Sequence, residues 1–252
     1  MPPMASPERS RLDALLVERG HFATRSRARD AVLRGTVRVE GQVCAKPGQA
    51  FPAASRLDVD DPAARYVSRA ALKLIAGLDG FGLSPEGREA LDIGASTGGF
   101  LQVLLERGAV HVTAVDVGHG QLAPVLRQDP RVTNLEGLNA RELTLGHLGG
   151  RRPEFIVSDV SFISLTLALP PALELAAKGA GAALLVKPQF EAGREAIGKN
   201  GVCDASEAGR VAERLRIWLD ERPGWRALGL LASPIEGGDG NREFLLGGVK
   251  DR

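Results

Sequence analysis

The 252-residue sequence contains little cysteine and no long apolar run, and each absence excludes a class of protein. Its two cysteines, Cys44 and Cys203, form neither a disulfide framework nor a metal-binding spacing, so no metal is expected and a reducing cytoplasm fits. There is no recognisable signal peptide and no stretch of about 18 apolar residues, which argues against insertion into a membrane.

Histidine is also scarce, and its distribution decides between two interpretations of a glycine-rich segment. Gly94-Ala95-Ser96-Thr97-Gly98 matches the G-x-S-x-G turn of serine hydrolases and equally the glycine loop of a nucleotide-type cofactor site. An α/β-hydrolase has its catalytic histidine late in the chain, whereas the last of the four histidines here is His147. The sequence therefore favours the cofactor loop.

The residues around this loop indicate which cofactor it binds. An apolar strand enters the loop and an amphipathic helix leaves it, so that helix amides face a ligand. Asp116 ends the next strand, about 20 residues on, where an acid accepts the hydroxyls of an adenosine ribose. Asp92 would repel a pyrophosphate but suits an ammonium and a sulfonium, which points to S-adenosylmethionine rather than a dinucleotide. The cofactor-binding residues predicted here are Asp92, Gly94, Ala95, Ser96, Thr97, Gly98, Gly99, Asp116 and Val117.

The net charge is close to zero, but the charges are unevenly distributed. Residues 1–65 carry eleven basic against eight acidic side chains, and the rest of the chain carries 21 against 23. Such a local basic excess suits a polyanion, although a solvated helix face would have the same composition. The candidate RNA-binding residues are Arg11, Arg25, Arg27, Arg29, Arg34 and Lys46, with Arg69, Arg194 and Lys199 further along the chain.

The order of the predicted elements indicates two domains. A disordered tail over residues 1–9 precedes a small α+β domain at 10–59, in which Ser10 is expected to cap the first helix. Residues 60–65 predict a linker. From 66 to 252, strands and helices alternate, which predicts an α/β domain with a mostly parallel sheet and an antiparallel C-terminal edge. Strands are expected near 89–93, 110–115, 131–135, 154–159, 181–186, 227–232 and 243–246, and helices near 68–78, 99–107, 163–177 and 204–221.

Long motifs in both domains resemble one known family. The motifs are Arg11-Leu12-Asp13, Arg25 to Gly35, Val37-x-Val39-x-Gly41, Tyr66-Val67-Ser68-Arg69, Leu91 to Phe100, Ala114 to Gly118, Ser158 to Leu165, Leu185 to Glu191, Ser233-Pro234-Ile235 and Gly240 to Leu246. The first three make the small domain similar to the αL-type RNA-binding module of a small-subunit ribosomal protein and of pseudouridine synthases. Together, from about residue 10 to 247, they resemble the TlyA (haemolysin A-like) family of ribosomal RNA methyltransferases, whose catalytic domain is of the FtsJ type.

The resemblance implies a Rossmann-like fold and methyl transfer from S-adenosylmethionine to a ribose 2′-hydroxyl of ribosomal RNA, free or in ribosomal subunits. It also implies a catalytic tetrad of Lys73, Asp159, Lys187 and Glu243, and a cofactor contact at Asn139, where some relatives of the fold use an acid against the adenine amino group. Lys187 follows an apolar strand, so its amine should emerge at the carboxyl rim of the sheet, where ligands bind. We expect Lys187 to be the base, Lys73 to lower its proton affinity, and the two acids to hold the amines.

Several alternatives are weighed on the same residues. No N-P-P-Y-like loop of base-amino methyltransferases occurs, and neither cysteine suits the nucleophile of carbon-5 methylation. An RNA-binding assembly factor with little catalysis and a cytolysin both stay open, the second only if an apolar insertion segment exists. The loop between Pro188 and Asp204 is predicted to be a lid over the target nucleotide. Ala70-Ala71 stands where the family commonly has two glycines, and the sequence leaves the oligomeric state open.

Overall fold

The computed structural model describes residues 9–198, 200–238 and 240–252, which form two compact units divided after Arg65. Apart from Arg9, the predicted disordered tail lies outside the described residues. Within them, no helix is long and apolar enough to cross a membrane.

The small unit, residues 9–65, packs two helices against short strands. Leu12, Leu16, Ala28 and Ala31 bury the inner faces of the helices. Strands β2, β3 and β5 form one antiparallel sheet, and β1 pairs with β4. The elements are β1 (Arg9–Arg11), α1 (Leu12–Glu18), α2 (Arg25–Leu33), β2 (Val37–Val39), β3 (Gln42–Val43), β4 (Ala50–Pro52) and β5 (Leu57–Val59).

The expectation that Ser10 caps the first helix is wrong. Ser10 lies in β1 opposite Phe51, and Arg11, at the cap position of α1, makes no side-chain capping bond. A serine that pairs in a strand competes with its use as a cap, and the pairing partner is 41 residues away in sequence. Residues 60–65, predicted as a linker, belong to the small unit, and Asp61 forms an ion pair with Arg34 at 2.7 Å.

The large unit, residues 66–252, is built on a seven-stranded sheet in the order β11-β12-β10-β9-β6-β7-β8. The five strands from β10 to β8 are parallel, while β12 runs antiparallel to both β10 and β11. The strands are β6 (Glu89–Ile93), β7 (His111–Asp116), β8 (Val132–Glu136), β9 (Phe155–Ser158), β10 (Gly181–Val186), β11 (Trp225–Ala232) and β12 (Phe244–Lys250).

Helices cover both faces of this sheet, because alternate residues of its strands are buried on each side. Leu91 and Ile93 of β6 pack on one side, and Ala90 on the other. The helices are α3 (Ala71–Phe81), α4 (Gly99–Glu106), α5 (Pro124–Arg127), α6 (Leu165–Ala168), α7 (Pro170–Leu175) and α8 (Ala205–Asp220). The single helix expected at 163–177 is two short ones, since Pro170 and Pro171 lack the amide that a continuous helix needs.

The sheet confirms the predicted fold class, a mostly parallel α/β sheet with an antiparallel C-terminal edge. The direction of strand addition reverses between β6 and β9, and open α/β sheets bind ligands at such a switch point, outside the carboxyl ends of the strands. Any site made by the loops after β6, β7, β9 and β10 therefore lies on one rim.

Candidate active site

The loop after β6 is held in a conformation that depends on glycine. Gly94 and Gly98 have φ of 83° and 96°, and Ser96 between them has φ of 47°. A Cβ on Gly94 would lie 3.0 Å from the backbone oxygen of Asp159. Glycine is thus required at position 94 both by its φ and by the close approach of the loop after β9.

Asp116, at the end of β7, holds the glycine loop in place. Its Oδ2 accepts a hydrogen bond from the Ser96 backbone N–H at 2.8 Å, and its Oδ1 accepts one from Gly118 at 2.7 Å. The Ser96 hydroxyl donates to the Gln121 side-chain oxygen at 3.0 Å. Ser96 is therefore a turn residue with no base beside it, and Gln121 is a supporting residue that the sequence did not reveal.

A cavity of about 510 Å³ opens beside this loop. Asp116 and Asn139 give it polar groups, while Val117 and Leu138 give it apolar walls. Apolar walls with a few fixed polar groups and a volume in this range are typical of a nucleoside site. A carboxylate oxygen has more than one lone pair, so Asp116 can accept ribose hydroxyls while it holds the loop. These residues fit the adenosine part of S-adenosylmethionine.

A second cavity, of about 150 Å³, continues the first toward the end of β10. The two share Gly94, Ser96, Asp159 and Ser161, and the second adds Lys187. Of the other predicted loop residues, Ala95, Thr97 and Gly99 line this second cavity. Gly98 lines neither cavity but begins α4, where a Cβ would clash with Leu126.

Asp92 lies beneath the loop and is fully buried. Neither carboxylate oxygen has a hydrogen-bond partner among the described residues. Burial raises the pKa of Asp92 well above its usual value, and the negative charges of Asp159 and Asp116 raise it further. The folded protein therefore favours the protonated form of this carboxyl.

The four tetrad residues form two ion pairs. Lys187 Nζ lies 2.7 Å from Asp159 Oδ1 and also donates to the Ser161 hydroxyl at 2.8 Å. Lys73 Nζ, from α3, lies 2.5 Å from Glu243 Oε2, and this pair is almost completely buried. Ser161 was not predicted as a site residue, although it lies inside the motif from Ser158 to Leu165.

Two phenylalanines flank the first pair. Phe162 is 90% exposed and has φ of 65°, which a non-glycine residue rarely adopts. Its ring lies 4.9 Å from that of Phe190, centroid to centroid, tilted by 49°. Phe190 belongs to the 3₁₀ turn Pro188–Phe190 that follows Lys187. An exposed aromatic ring beside the catalytic candidates was missed because an isolated phenylalanine in a sequence predicts core packing.

The predicted lid is attached to the start of β12 by one buried amide. Asn241 accepts from the Cys203 backbone N–H at 2.8 Å and donates to the Gly201 carbonyl at 3.0 Å. Burial raises the pKa of the Cys203 thiol, so this cysteine is a poor nucleophile. Ala70 and Ala71 have ordinary helical geometry with no positive φ, so the replacement of glycines there causes no backbone strain.

The basic residues predicted to bind RNA are arranged differently from one another. Arg11, Arg25 and Arg29 surround one pocket of the small unit, and Lys46 is exposed. Arg34 is only 14% exposed and is paired with Asp61, and Arg27 donates to the carbonyls of 63 and 64, so both are poorly oriented for an RNA phosphate. Arg69 is half-buried, and Arg194 begins a 3₁₀ turn. The Arg194 side chain and the whole of Lys199 lie outside the described part of the chain.

Comparison with known proteins supports the same division of the chain. Residues 66–250 match the FtsJ-like methyltransferase family, and residues 10–52 match the S4 domain. A protein of Mycobacterium tuberculosis named 16S/23S rRNA (cytidine-2′-O)-methyltransferase TlyA is 44% identical over 94% of this chain and 89% of its own length. Bacillus subtilis YqxC, provisionally named an rRNA methyltransferase, is 45% identical over 95% of this chain and 85% of its own.

A solved structure has the same architecture over almost the whole chain. It is a protein of Streptococcus thermophilus, provisionally named a haemolysin, with a TM-score of 0.74 and 43% identity; the match covers 98% of this chain and 90% of that one.

Proposed function

Because the chain belongs to the FtsJ-like methyltransferases and depends on S-adenosylmethionine as they do, we propose that it methylates the 2′-hydroxyl of a cytidine in ribosomal RNA. A ribosomal substrate would locate the reaction in the cytoplasm. The observation that carries the proposal is Lys187, whose amine lies on the cavity next to the glycine loop and contacts both Asp159 and Ser161.

The rim around the switch point supplies the contacts that the cofactor needs. Asp116, Val117 and Asn139 would hold its adenosine, and the loop from Gly94 to Gly99 would lie against the rest. When bound, the cofactor supplies a methyl group already activated by a sulfonium. The protein therefore has to place the ribose hydroxyl in line with that methyl group and to accept its proton.

Lys187 is the proposed proton acceptor. The ribose oxygen would gain a bond to the methyl carbon as the bond between that carbon and the sulfonium sulfur breaks, which leaves a neutral thioether, and the hydroxyl proton would pass to Lys187 Nζ. A lysine accepts a proton only when it is neutral, so the ammonium that pairs with Asp159 would first have to release its own proton. Asp159 and Ser161 fix the direction of the amine, while the buried Lys73–Glu243 pair contributes a second ammonium that orients the hydroxyl.

Phe162 is the proposed contact for the base of the target nucleotide. The Phe162 ring is 90% exposed on a strained backbone, and the residue before it, Ser161, contacts the Lys187 amine. Packing in the core therefore does not explain the position of this ring. Single-stranded nucleotides are held by stacking on such rings. Phe190 supports the ring from behind. The ribose hydroxyl of a nucleotide stacked on Phe162 would lie close to Lys187.

The test is to incubate the protein with labelled S-adenosylmethionine and intact small and large ribosomal subunits, and to map any methylated ribose. We expect a 2′-O-methylcytidine, and Lys187→Ala should lower the single-turnover rate by at least about a hundredfold, the scale of general base catalysis. Affinity for the cofactor should change little, since Lys187 lies outside the adenosine cavity.

The matched control is Lys178→Ala, which removes an exposed lysine elsewhere in the large unit. Near-normal transfer by Lys187→Ala would rule out its role as the base. Tight binding to ribosomal subunits without any methyl transfer by the unaltered protein would instead favour an assembly factor.

A further inference from the structure

A basic pocket on the small unit is built around a buried acid. The pocket encloses about 630 Å³ and is lined by Arg11, Arg25 and Arg29, with Asp13 among them. All of them lie within residues 9–65, far in sequence from the residues proposed for methyl transfer.

Asp13 holds two of these arginines in fixed positions. The Nε and Nη2 atoms of Arg11 donate to its two oxygens at 3.1 and 2.9 Å, which is a bidentate contact. Arg25 Nη2 lies 3.3 Å from both oxygens. The Asp13 side chain is 6% exposed, whereas those of Arg11 and Arg25 are 55% and 59% exposed. The contact with Arg11 lowers the pKa of Asp13, so the carboxylate is ionised at neutral pH.

Gly48 fixes the other side of the Arg11 guanidinium. A Cβ at position 48 would lie 3.0 Å from Arg11 Nη1 and 3.2 Å from Cζ. The planar group of Arg11 therefore lies against the Gly48 backbone, and a methyl group there would have to shift it by a few tenths of an ångström. The backbone of Gly48 has no positive φ, so alanine is compatible with its conformation.

We propose that Asp13 and Gly48 are positioning residues that hold Arg11 and Arg25 as a two-armed receptor for one RNA phosphate, with Arg29 adding charge at its mouth. The inference rests on the proposed function, because that function makes RNA the ligand of this pocket. Each guanidinium has five N–H donors, so donors turned toward the pocket stay available after Asp13 is bound. Without the carboxylate, two like charges this close would repel each other and separate.

The proposal and a simple charge argument predict opposite results for Asp13→Asn. Removing one negative charge should tighten the binding of a polyanion if only net charge matters. If Asp13 positions the arginines, Asp13→Asn should weaken binding about tenfold, the size of one lost charge-assisted hydrogen bond. Binding of the full-length protein to purified ribosomal subunits, measured over a series of salt concentrations, separates the two.

Gly48→Ala tests the same geometry without any change of charge. We expect weaker binding, again by about tenfold, with the methyl-transfer rate at saturating subunits unchanged, so that KM rises while kcat does not. The matched control is Gly209→Ala, because a Cβ at that exposed position of α8 meets nothing within 4 Å. Melting temperatures of all variants identify any that fail to fold, and Gly48→Ala keeps the test valid if Asp13→Asn does.

Tighter binding by Asp13→Asn, or binding by Gly48→Ala equal to that of Gly209→Ala, would overturn the inference. Absence of methyl transfer by the unaltered protein would count against the proposed function alone, because the binding measurement does not depend on it.

Discussion

At the scale of the residue, Asp92 is a fully buried carboxyl with no hydrogen-bond partner among the described residues. Because its pKa is raised in the folded protein, the folded state favours the protonated carboxyl. The stability that this group contributes is fully present below the pKa of an unfolded aspartate, about 3.9, and is lost as the pH rises through the raised value.

We therefore expect Asp92→Asn to stabilise the protein at pH 8 but not at pH 4. A gain of about 1 kcal/mol would raise the melting temperature by about 2–4 °C at the higher pH. The same variant should bind S-adenosylmethionine more weakly, because the carboxylate is lost. Asp60→Asn, at an exposed position, is the control. A shift in melting temperature that is equal at both pH values would show that titration of Asp92 is not its cause.

Phe162 gives a second prediction at this scale. Phe162→Ala should lower kcat/KM for ribosomal subunits by about tenfold or more, since one base stacked on an aromatic ring is worth about 1–3 kcal/mol. Phe162→Trp should restore the activity, because it restores a stacking surface. Leu167→Ala, which removes another exposed apolar side chain, should have no effect. Loss of cofactor affinity in Phe162→Ala would mean instead that the ring contacts the cofactor.

At the scale of the element, the regular strands were predictable and the connections were not. Short apolar runs located β6 and β10 at their observed residues, because a strand that is buried on both faces of a sheet is almost continuously apolar in sequence. The pairing of Ser10 with Phe51 depends on residues 41 positions apart, and no local pattern reports it. The break at Pro170 was visible in the sequence but was overridden by the long apolar run around it.

The attachment of the lid to β12 also belongs to this scale. Asn241→Ala should leave the buried Cys203 N–H unpaired, at about 1–3 kcal/mol, and free the part-buried Gly201 carbonyl, so amide exchange of residues 197, 198 and 200–203 should become at least about tenfold faster. In the unaltered protein, exchange of the described loop residues after Pro188 should slow when RNA and cofactor are added. Asn134→Ala, which removes a side-chain amide that donates to Glu136 on its own strand, is the control. Equal exchange in both variants would contradict the attachment.

At the scale of the whole molecule, the fold and family were accessible from motifs that lie in both units. The side-chain partners were not: whether an arginine is exposed like Arg29 or paired like Arg34 depends on where Asp61 lies, and a charge count treats the two alike. The roles within the tetrad stay predictions for the same reason, because two ion pairs describe its geometry but not the path of a proton.

The arginines of the small unit predict that the affinity for ribosomal subunits falls as the salt concentration rises. If the small unit neutralises one RNA phosphate, as proposed for Arg11 and Arg25, the logarithm of the association constant should fall with the logarithm of salt with a slope of about −0.7 or steeper, so a fourfold rise in salt weakens binding by about 2.6-fold or more. We expect kcat/KM to follow this slope while kcat stays constant, as measured by initial rates on ribosomal subunits. A slope near zero would indicate that the small unit binds without phosphate contacts.

The contact at Gly94 has a consequence for how this enzyme can vary. Gly94 is part of the cofactor loop, and a Cβ on it would lie 3.0 Å from the backbone oxygen of Asp159. A substitution at Gly94 that changes the binding of the methyl donor would also move Asp159, the acid beside Lys187. The preference for a donor and the turnover rate should therefore change together. Engineering this protein to accept a modified methyl donor should therefore begin at the far wall of the adenosine cavity, where Val117 and Leu138 can change without touching the chemistry.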